Sequence, residues 1–331
     1  MLHLPLGSTA RSMAALCGYF SGFCALSMVS AAPPVIEDIT PRGIAPGATQ
    51  RLEIRGSDLG EITQIWTSFP ARQHVVGSDA QQGAASEEPA VDPVRHSCQL
   101  SIARDEQVGV AAIRVATEAG VSPWQLLMID DLPSLAETND HDQRQNAQPV
   151  DWPLAIDGTS DALKSDYYRL EIVEPTELSF EVVAQRIASP LDAVLTLYDE
   201  AGEPLTVSDD DPGTGADSRF VFRFPSAGVY YLSLRDVQYR GGAEYRYRLR
   251  VGRFPLIRCV YPLGARAKSV VDFEFLGLDG ALLGRQNLLL GRLASCTAQG
   301  QLGLSLKLPG HDASGFTSIA AGGMLESVLE R

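Results

Sequence analysis

Histidine and cysteine are scarce, at five each in 331 residues. The histidines never fall in an H-E-x-x-H pattern and no C-x-x-C pair occurs, so a zinc-protease helix and a zinc knuckle have no support. G-x-S-x-G, a Walker loop and G-x-G-x-x-G are also missing. Serine and aspartate are plentiful, but a catalytic triad is a matter of three-dimensional geometry, and no local pattern favours one. His74, His96, His141 and His311 each stand alone in polar surroundings and read as surface residues. Basic residues are outnumbered, 27 Lys and Arg against 41 Asp and Glu, for a net charge of -14. Nucleic acid is disfavoured as a partner, because phosphate binding needs a basic patch. Anionic lipid is disfavoured for the same reason.

Long apolar runs are missing beyond the N-terminus. There, Arg11 is the only charge before Glu37, and an apolar stretch at 13–29 is broken by Gly18, Gly22 and several serines. It ends in Val29-Ser30-Ala31-Ala32, with small residues where signal peptidase cuts. Residues 1–31 therefore read as a secretory signal peptide rather than a membrane anchor. The protein is expected outside the cytoplasm, extracellular or periplasmic, with no membrane span after cleavage. Cys98, Cys259 and Cys296 remain after the signal. Cys259 and Cys296 could pair after export, or stay as buried thiols.

What is there is period two. Arg51-Leu52-Glu53-Ile54-Arg55 and Gln99-Leu100-Ser101-Ile102 alternate polar and apolar residues. So do Tyr168-Leu170-Ile172, Leu178-Phe180-Val182, Phe220-Phe222-Phe224 and Tyr245-Tyr247-Leu249-Val251 with the residues between them. Turn signals such as Pro46-Gly47 and Gly56-Ser57-Asp58 separate these runs. The stretch 77–93, rich in Ala, Gln, Gly, Ser and Glu, reads as a loop. The fold class is all-β, in tandem β-sandwiches. In the strand from Tyr245 to Val251, Arg246, Arg248 and Arg250 alternate with the apolar set. The expectation is one buried face and one wet, cationic face. With Tyr239 and Arg240 it would make a basic–aromatic patch for an acidic or aromatic ligand, or simply a solvated sheet face.

Three resemblances divide the chain. Ile36-Glu37-Asp38-Ile39-Thr40-Pro41-Arg42-Gly43, then Pro46-Gly47 and Leu52-Glu53-Ile54-Arg55-Gly56, resembles the opening of IPT/TIG-like immunoglobulin-fold domains, and implies such a sandwich over 33–130. A polar linker is expected over 131–153. Asp166-Tyr167-Tyr168-Arg169-Leu170, then Leu191-Asp192-Ala193-Val194-Leu195-Thr196-Leu197-Tyr198-Asp199-Glu200-Ala201-Gly202, then Ala227-Gly228-Val229-Tyr230-Tyr231 resembles the bacterial pre-peptidase C-terminal (PPC) domain. That resemblance covers about 136–252, with its N-terminal linker, and implies a jelly-roll-like sandwich. Phe254 to Gly264 echoes the TIG-like opening, so 253–331 is expected as a short, partial TIG-like segment.

Carboxylate clusters are the candidate sites. Glu137, Asn139 and Asp140 offer three oxygen ligands in four residues, and Ca2+ takes six to eight such ligands. Their segment resembles the E-x-N-D linker before the collagen-binding PPC-like domains of bacterial collagenases. The resemblance implies Ca2+ held by these residues with acids near the first strand, here Asp161 and Asp166. Leu135 stands where that family often has another acid. The alternative is a solvated linker with Asn/Asp turn chemistry. Asp209, Asp210 and Asp211 form a weaker candidate, since a cation would relieve the repulsion of adjacent acids. Asp192 reads as a hydrogen-bond acceptor at a strand start.

With β modules spanning the mature chain and no catalytic motif, the expected function is non-catalytic. The chain would be a secreted accessory protein binding extracellular protein or polysaccharide through its sandwich surfaces. A hydrolase such as a peptidase, or a fragment of one without its catalytic domain, is the alternative, because PPC domains accompany secreted proteases. A structural envelope component is a third.

Overall fold

The computed structural model describes residues 32–78, 94–266, 268–290 and 301–322. The signal-peptide reading of 1–31, most of the 77–93 loop, Cys296 and the C-terminal tail lie outside the described residues. The period-two runs are strands, and strands dominate throughout. Two short 3-10 turns, Arg144–Asn146 and Gln185–Ile187, are the helical segments among the described residues.

In the first unit, one sheet runs Val35–Thr40, Thr49–Ser57, Val94–Ile102, Ala71–Ser78. The facing sheet runs Gly43–Ile44, Gln125–Ile129, Gly109–Thr117, Gln64–Thr67. Ile39, Leu52, Ile54, Leu100, Ile113, Val115 and Leu127 fill the space between them.

The second unit has two five-stranded sheets. One runs Ser134–Ala136, Leu154–Thr159, Arg246–Gly252, Thr176–Val183, Arg219–Phe224. The other runs Gln148–Val150, Asp166–Ile172, Gly228–Asp236, Ala193–Tyr198, Pro204–Ser208. Alternation puts Leu178, Phe180, Val182, Tyr247, Leu249 and Val251 on the inner face of one sheet, against Tyr168, Leu170, Leu195 and Leu232 of the other. Phe180 stacks on Phe220 at 4.9 Å and Phe224 meets Tyr230 edge-on at 4.6 Å. Each such side chain stabilises the fold by about 1.5–3 kcal/mol through burial.

The expected polar linker is instead part of this sandwich. Ser134–Ala136 lies parallel to Leu154–Thr159, and Gln148–Val150 lies parallel to Asp166–Ile172, one added strand on each sheet. Strands of three residues are too short to show alternation, so composition alone suggested a linker.

The third unit also differs from the partial segment expected. Ile257–Tyr261, Val270–Gly277 and Leu282–Leu289 form one sheet, and Gly264–Arg266, Gly315–Gly322 and Gln301–Leu306 another. Both contribute to one core that includes Val260, Phe273, Phe275, Leu302, Leu304 and Ile319.

The described residues form one compact unit, and the three sandwiches share buried contacts. Met128 of the first meets Val183 and Ile187 of the second and Phe316 of the third. This junction overturns the wet face expected for Arg246–Gly252. Arg248 and Arg250 are fully buried, at 0% exposure, and Arg246 is partly buried. Arg248 donates from Nε to Asp130 Oδ2 at 2.8 Å and from NH1 to Asp157 Oδ1 at 2.7 Å. Arg250 donates to Glu181 Oε2 at 2.7 Å, Asp130 Oδ1 at 3.1 Å and the Ser314 carbonyl at 2.7 Å. Burial opposes the charge on Asp130 and on Glu181. Arg250 and Arg248 outweigh it at Asp130, and Arg186, Arg250 and Arg219 at Glu181, so both carboxyls stay below the usual range. Gly43 makes the junction sterically feasible, since a Cβ there would lie 2.3 Å from the Arg248 guanidinium carbon.

Candidate metal centre and an aromatic surface row

Glu137 follows directly on the added strand Ser134–Ala136, whose parallel pairing with Leu154–Thr159 fixes its direction. The Glu137 N–H donates to the Asp157 carbonyl at 3.1 Å, and Glu137 Oε1 accepts the Thr159 N–H at 2.8 Å. Gly158 leaves room for it, because a Cβ there would lie 2.5 Å from Glu137 Oε2 and 2.3 Å from the Tyr247 ring. Asp166 opens the strand Asp166–Ile172, and the His141 carbonyl accepts the Tyr167 N–H at 2.8 Å, drawing His141 alongside.

These three side chains converge. Glu137, His141 and Asp166 each place a ligand atom within 4.8 Å of the others. His141 Nε2 is 3.9 Å from Glu137 Oε2 and 3.8 Å from Asp166 Oδ1. Beneath them, the Tyr247 hydroxyl is within hydrogen-bond distance of Asp166 Oδ2 at 2.8 Å and Glu137 Oε2 at 3.2 Å, and it meets the Tyr168 hydroxyl at 2.5 Å. A phenol carries one proton, so Tyr247 cannot donate fully to both carboxylates.

The electrostatics follow from this shortage of donors. Burial pushes the Glu137 carboxyl up to about 7, against the Thr159 and Tyr247 hydrogen bonds. Burial likewise lifts Asp166 to about 7, with the charge of Glu137 adding to it. Burial lowers the His141 imidazole. Two carboxylates are thus held where their charge is costly, offset only in part by the positive charges of Arg42 at Glu137 and Lys164 at Asp166.

All five residues expected to hold Ca2+ line one cavity of about 420 Å³: Glu137, Asn139, Asp140, Asp161 and Asp166, with His141 and Lys164. Asp140 and Asp161 stay outside the converged set. Asp161 is 62% exposed and pairs with Lys164 at 3.3 Å. Asp140 is exposed with φ of 64°, and its carbonyl accepts from the Asn146 side chain.

The expectation that all the histidines sit at the surface fails for two of them. His141 is 6% exposed and His96 is 5% exposed. His141 is the site residue that reading the sequence missed. Its one signal was the Glu137-x-x-x-His141 spacing, which has no set meaning in a loop.

The second acidic cluster assembles differently from expectation. Asp209 and Asp210 gather with Asp192, whose carboxylate was read as a strand-start acceptor. Asp211 leaves the set, accepting from Arg219 NH2 at 2.8 Å and from the Gly213 N–H at 2.7 Å. The expected patch of arginines with Tyr239 and Arg240 is dismantled by the burial of Arg248 and Arg250. Arg240 pairs with Asp236 at 3.0 Å, and Arg235 lies over the Tyr239 ring at 4.5 Å.

A different basic–aromatic feature lies on the first unit. Trp66 pairs directly across from Arg114, in the strands Gln64–Thr67 and Gly109–Thr117. The guanidinium carbon of Arg114 is 4.3 Å from the Trp66 ring centre and 4.4 Å from that of Trp124. Trp66 is 37% exposed and Trp124 38%. Arg114 Nε is buried without a hydrogen-bond partner, and among the described residues no carboxylate pairs with this arginine.

No family model matches the chain, and no curated protein matches it. Among solved structures it is similar to the pre-peptidase C-terminal domain of collagenase from Bacillus anthracis, at 17% identity and TM-score 0.27, covering 32% of this chain and 93% of that one. It is similar to the secreted serine protease VesC from Vibrio cholerae, at 12% identity and TM-score 0.24, covering 63% of this chain and 47% of that one. It is also similar to the Bacteroides ovatus protein SGBP-B, solved with a mixed-linkage heptasaccharide, at 9% identity and TM-score 0.21, covering 66% and 73%. The chain is nearly all β, in tandem sandwiches, with a PPC domain among its structural neighbours. Among the described residues, no helix is long and apolar enough to cross a membrane.

Proposed function

We propose that the chain is a secreted, non-catalytic accessory protein that binds extracellular polysaccharide through the Trp66–Arg114–Trp124 row. The row is the observation that carries this reading. Two of the three tryptophans in the chain stand on it, each more than a third exposed. They flank the middle strand, so their backbones lie two strand spacings apart, about 10 Å. Indole faces offer flat apolar area with little side-chain entropy to lose on binding, and the C–H faces of sugar rings match that chemistry. Arg114 adds N–H donors for hydroxyl or carboxylate oxygens, and Trp and Arg dominate the energetics of recognition surfaces.

The test is retention on a panel of immobilised neutral and uronate-bearing polysaccharides. Wild-type chain is expected to be retarded by at least one, and Trp66→Ala with Trp124→Ala to lose at least tenfold in affinity. No retention on any polymer, or equal retention of the double variant, would overturn the reading. Sustained cleavage of polysaccharide or casein by the purified chain would overturn the non-catalytic part and favour the hydrolase alternative.

A further inference from the structure

The centre formed by Glu137, His141 and Asp166 has one feature that an acidic cluster does not by itself supply. His141 is 6% exposed, and its Nε2 is buried without a hydrogen-bond partner. The imidazole is hydrogen-bonded to the Thr138 backbone. With Nε2 unpartnered, that bond belongs to Nδ1, and an imidazole bonded to a backbone carbonyl through Nδ1–H carries its lone pair on Nε2. The lone pair therefore points toward two carboxylates at 3.8 and 3.9 Å, and among the described residues no donor reaches Nε2. Such an arrangement is repulsive when empty and complementary to a cation.

The donor set discriminates among cations. Ca2+ takes six to eight oxygens and Mg2+ an octahedron of oxygens. Here the converged atoms are two carboxylate oxygens and one imidazole nitrogen. Asp161, an oxygen that Ca2+ would want, is turned to Lys164. One imidazole with two carboxylates suits a borderline first-row ion with three protein ligands and an open position. Thr138 holds the imidazole, and the Thr159 N–H and Tyr247 hydroxyl hold the carboxylates, which supplies the outer support that such sites need.

We infer that Glu137 Oε2, His141 Nε2 and Asp166 Oδ1 form a binding site for a borderline divalent transition ion of the Zn2+ class, in place of the all-oxygen Ca2+ site expected from the linker sequence. The ion ties the segment after Ser134–Ala136 to the start of Asp166–Ile172. It staples the two sheets of the second sandwich at one end, because these strands belong to opposite sheets. The site belongs to the second sandwich and the tryptophan row to the first, and its test does not depend on polysaccharide binding.

The experiment uses the full chain, stripped with EDTA and transferred to metal-free buffer. Thermal unfolding is followed with Zn2+ alone and with Ca2+ alone at equal concentration, and Co2+ is added as a visible-absorption probe. Zn2+ at a hundredfold excess over its Kd is expected to raise Tm by roughly 5 °C, with a smaller shift from Ca2+. Co2+ is expected to give visible ligand-field bands that Zn2+ displaces. His141→Asn, which exchanges the nitrogen for an amide oxygen, is expected to abolish the Zn2+ shift and the Co2+ bands. Glu137→Gln is expected to weaken both, and serves if His141→Asn does not fold. A Ca2+ shift equal to or larger than that of Zn2+ would overturn the inference and restore the oxygen site. So would no shift with either ion, which would leave a proton shared among the three groups. A Zn2+ shift that survives both substitutions would overturn it as well.

Discussion

Asp130 and Arg248 lie 118 positions apart and are both fully buried, joined by a 2.8 Å hydrogen bond from Arg248 Nε to Asp130 Oδ2. Asp130 ends the first sandwich, and Arg248 sits at the centre of a sheet of the second. The same carboxylate also accepts from Arg250, which donates onward to the Ser314 carbonyl of the third. One aspartate therefore coordinates the meeting of all three units. Buried ion pairs of this kind contribute little net stability compared with apolar packing, but they cost much when broken, because the remaining charge has no water.

Asp130→Ala is expected to destabilise the chain by about 3 kcal/mol, since it takes one carboxylate partner from each of two buried guanidinium groups, which keep only Asp157 and Glu181. Replacing Asp130, Arg248 and Arg250 together by apolar residues of similar size is expected to cost more than Asp130→Ala alone, because it also takes the buried arginine partners from Asp157 and Glu181. Urea midpoints of the single and triple variants check this. A triple variant more stable than the single one would mean that the pairs with Asp157 and Glu181 add nothing once Asp130 is gone.

A distinct pH dependence follows from the metal centre. Glu137 and Asp166 titrate near 7 in the folded chain, above their ordinary values near 4. Between those values the folded state holds more protons than the unfolded one, so the contribution of these two groups is fully present below about pH 4 and is lost as pH rises to about 7. Other carboxyls, including Asp130 and Glu181, are lowered and act in the opposite direction. The difference between wild type and Glu137→Gln isolates the effect. In chelator, Glu137→Gln is expected to gain on wild type as pH rises from 4 to 8. A constant difference across that range would contradict the pKa elevation.

Gly158→Ala is expected to cost about 1–3 kcal/mol, because the new methyl must displace the Tyr247 ring or the Glu137 carboxylate. Both belong to the metal centre, so the stabilisation by added metal is expected to shrink as well. Thermal melts with and without Zn2+ read both effects.

Trp66→Ala is expected to change stability by less than about 1 kcal/mol, the scale of an exposed cation–π contact. Its Arg114 partner keeps Trp124. A loss of polysaccharide retention with an unchanged melt would separate recognition from folding.

Alternation made most strands of the first two sandwiches legible. The inward set Tyr247, Leu249 and Val251 follows from period two, and the structure buries it. The set of oxygen donors at Glu137, Asn139, Asp140, Asp161 and Asp166 was legible as a candidate site, and one cavity gathers it. His141 was not legible there, because a single histidine in a polar loop carries no periodic signal. Trp66, Arg114 and Trp124 were not legible as a row either. Trp124 comes from a third strand region, and only cross-strand register aligns the three.

The sequence by itself determined the strands, the apolar face of each and the cluster of acids before Asp166, because each depends on neighbours within a few residues. Only the tertiary structure decided that the opposite face at Arg248 and Arg250 is dry. Period two says that two faces differ, but whether water or another sandwich covers the polar one is set by Asp130 and Ser314, far away in the chain. The tertiary structure likewise decided that His141 faces two carboxylates, since that depends on parallel strand additions too short to leave a pattern.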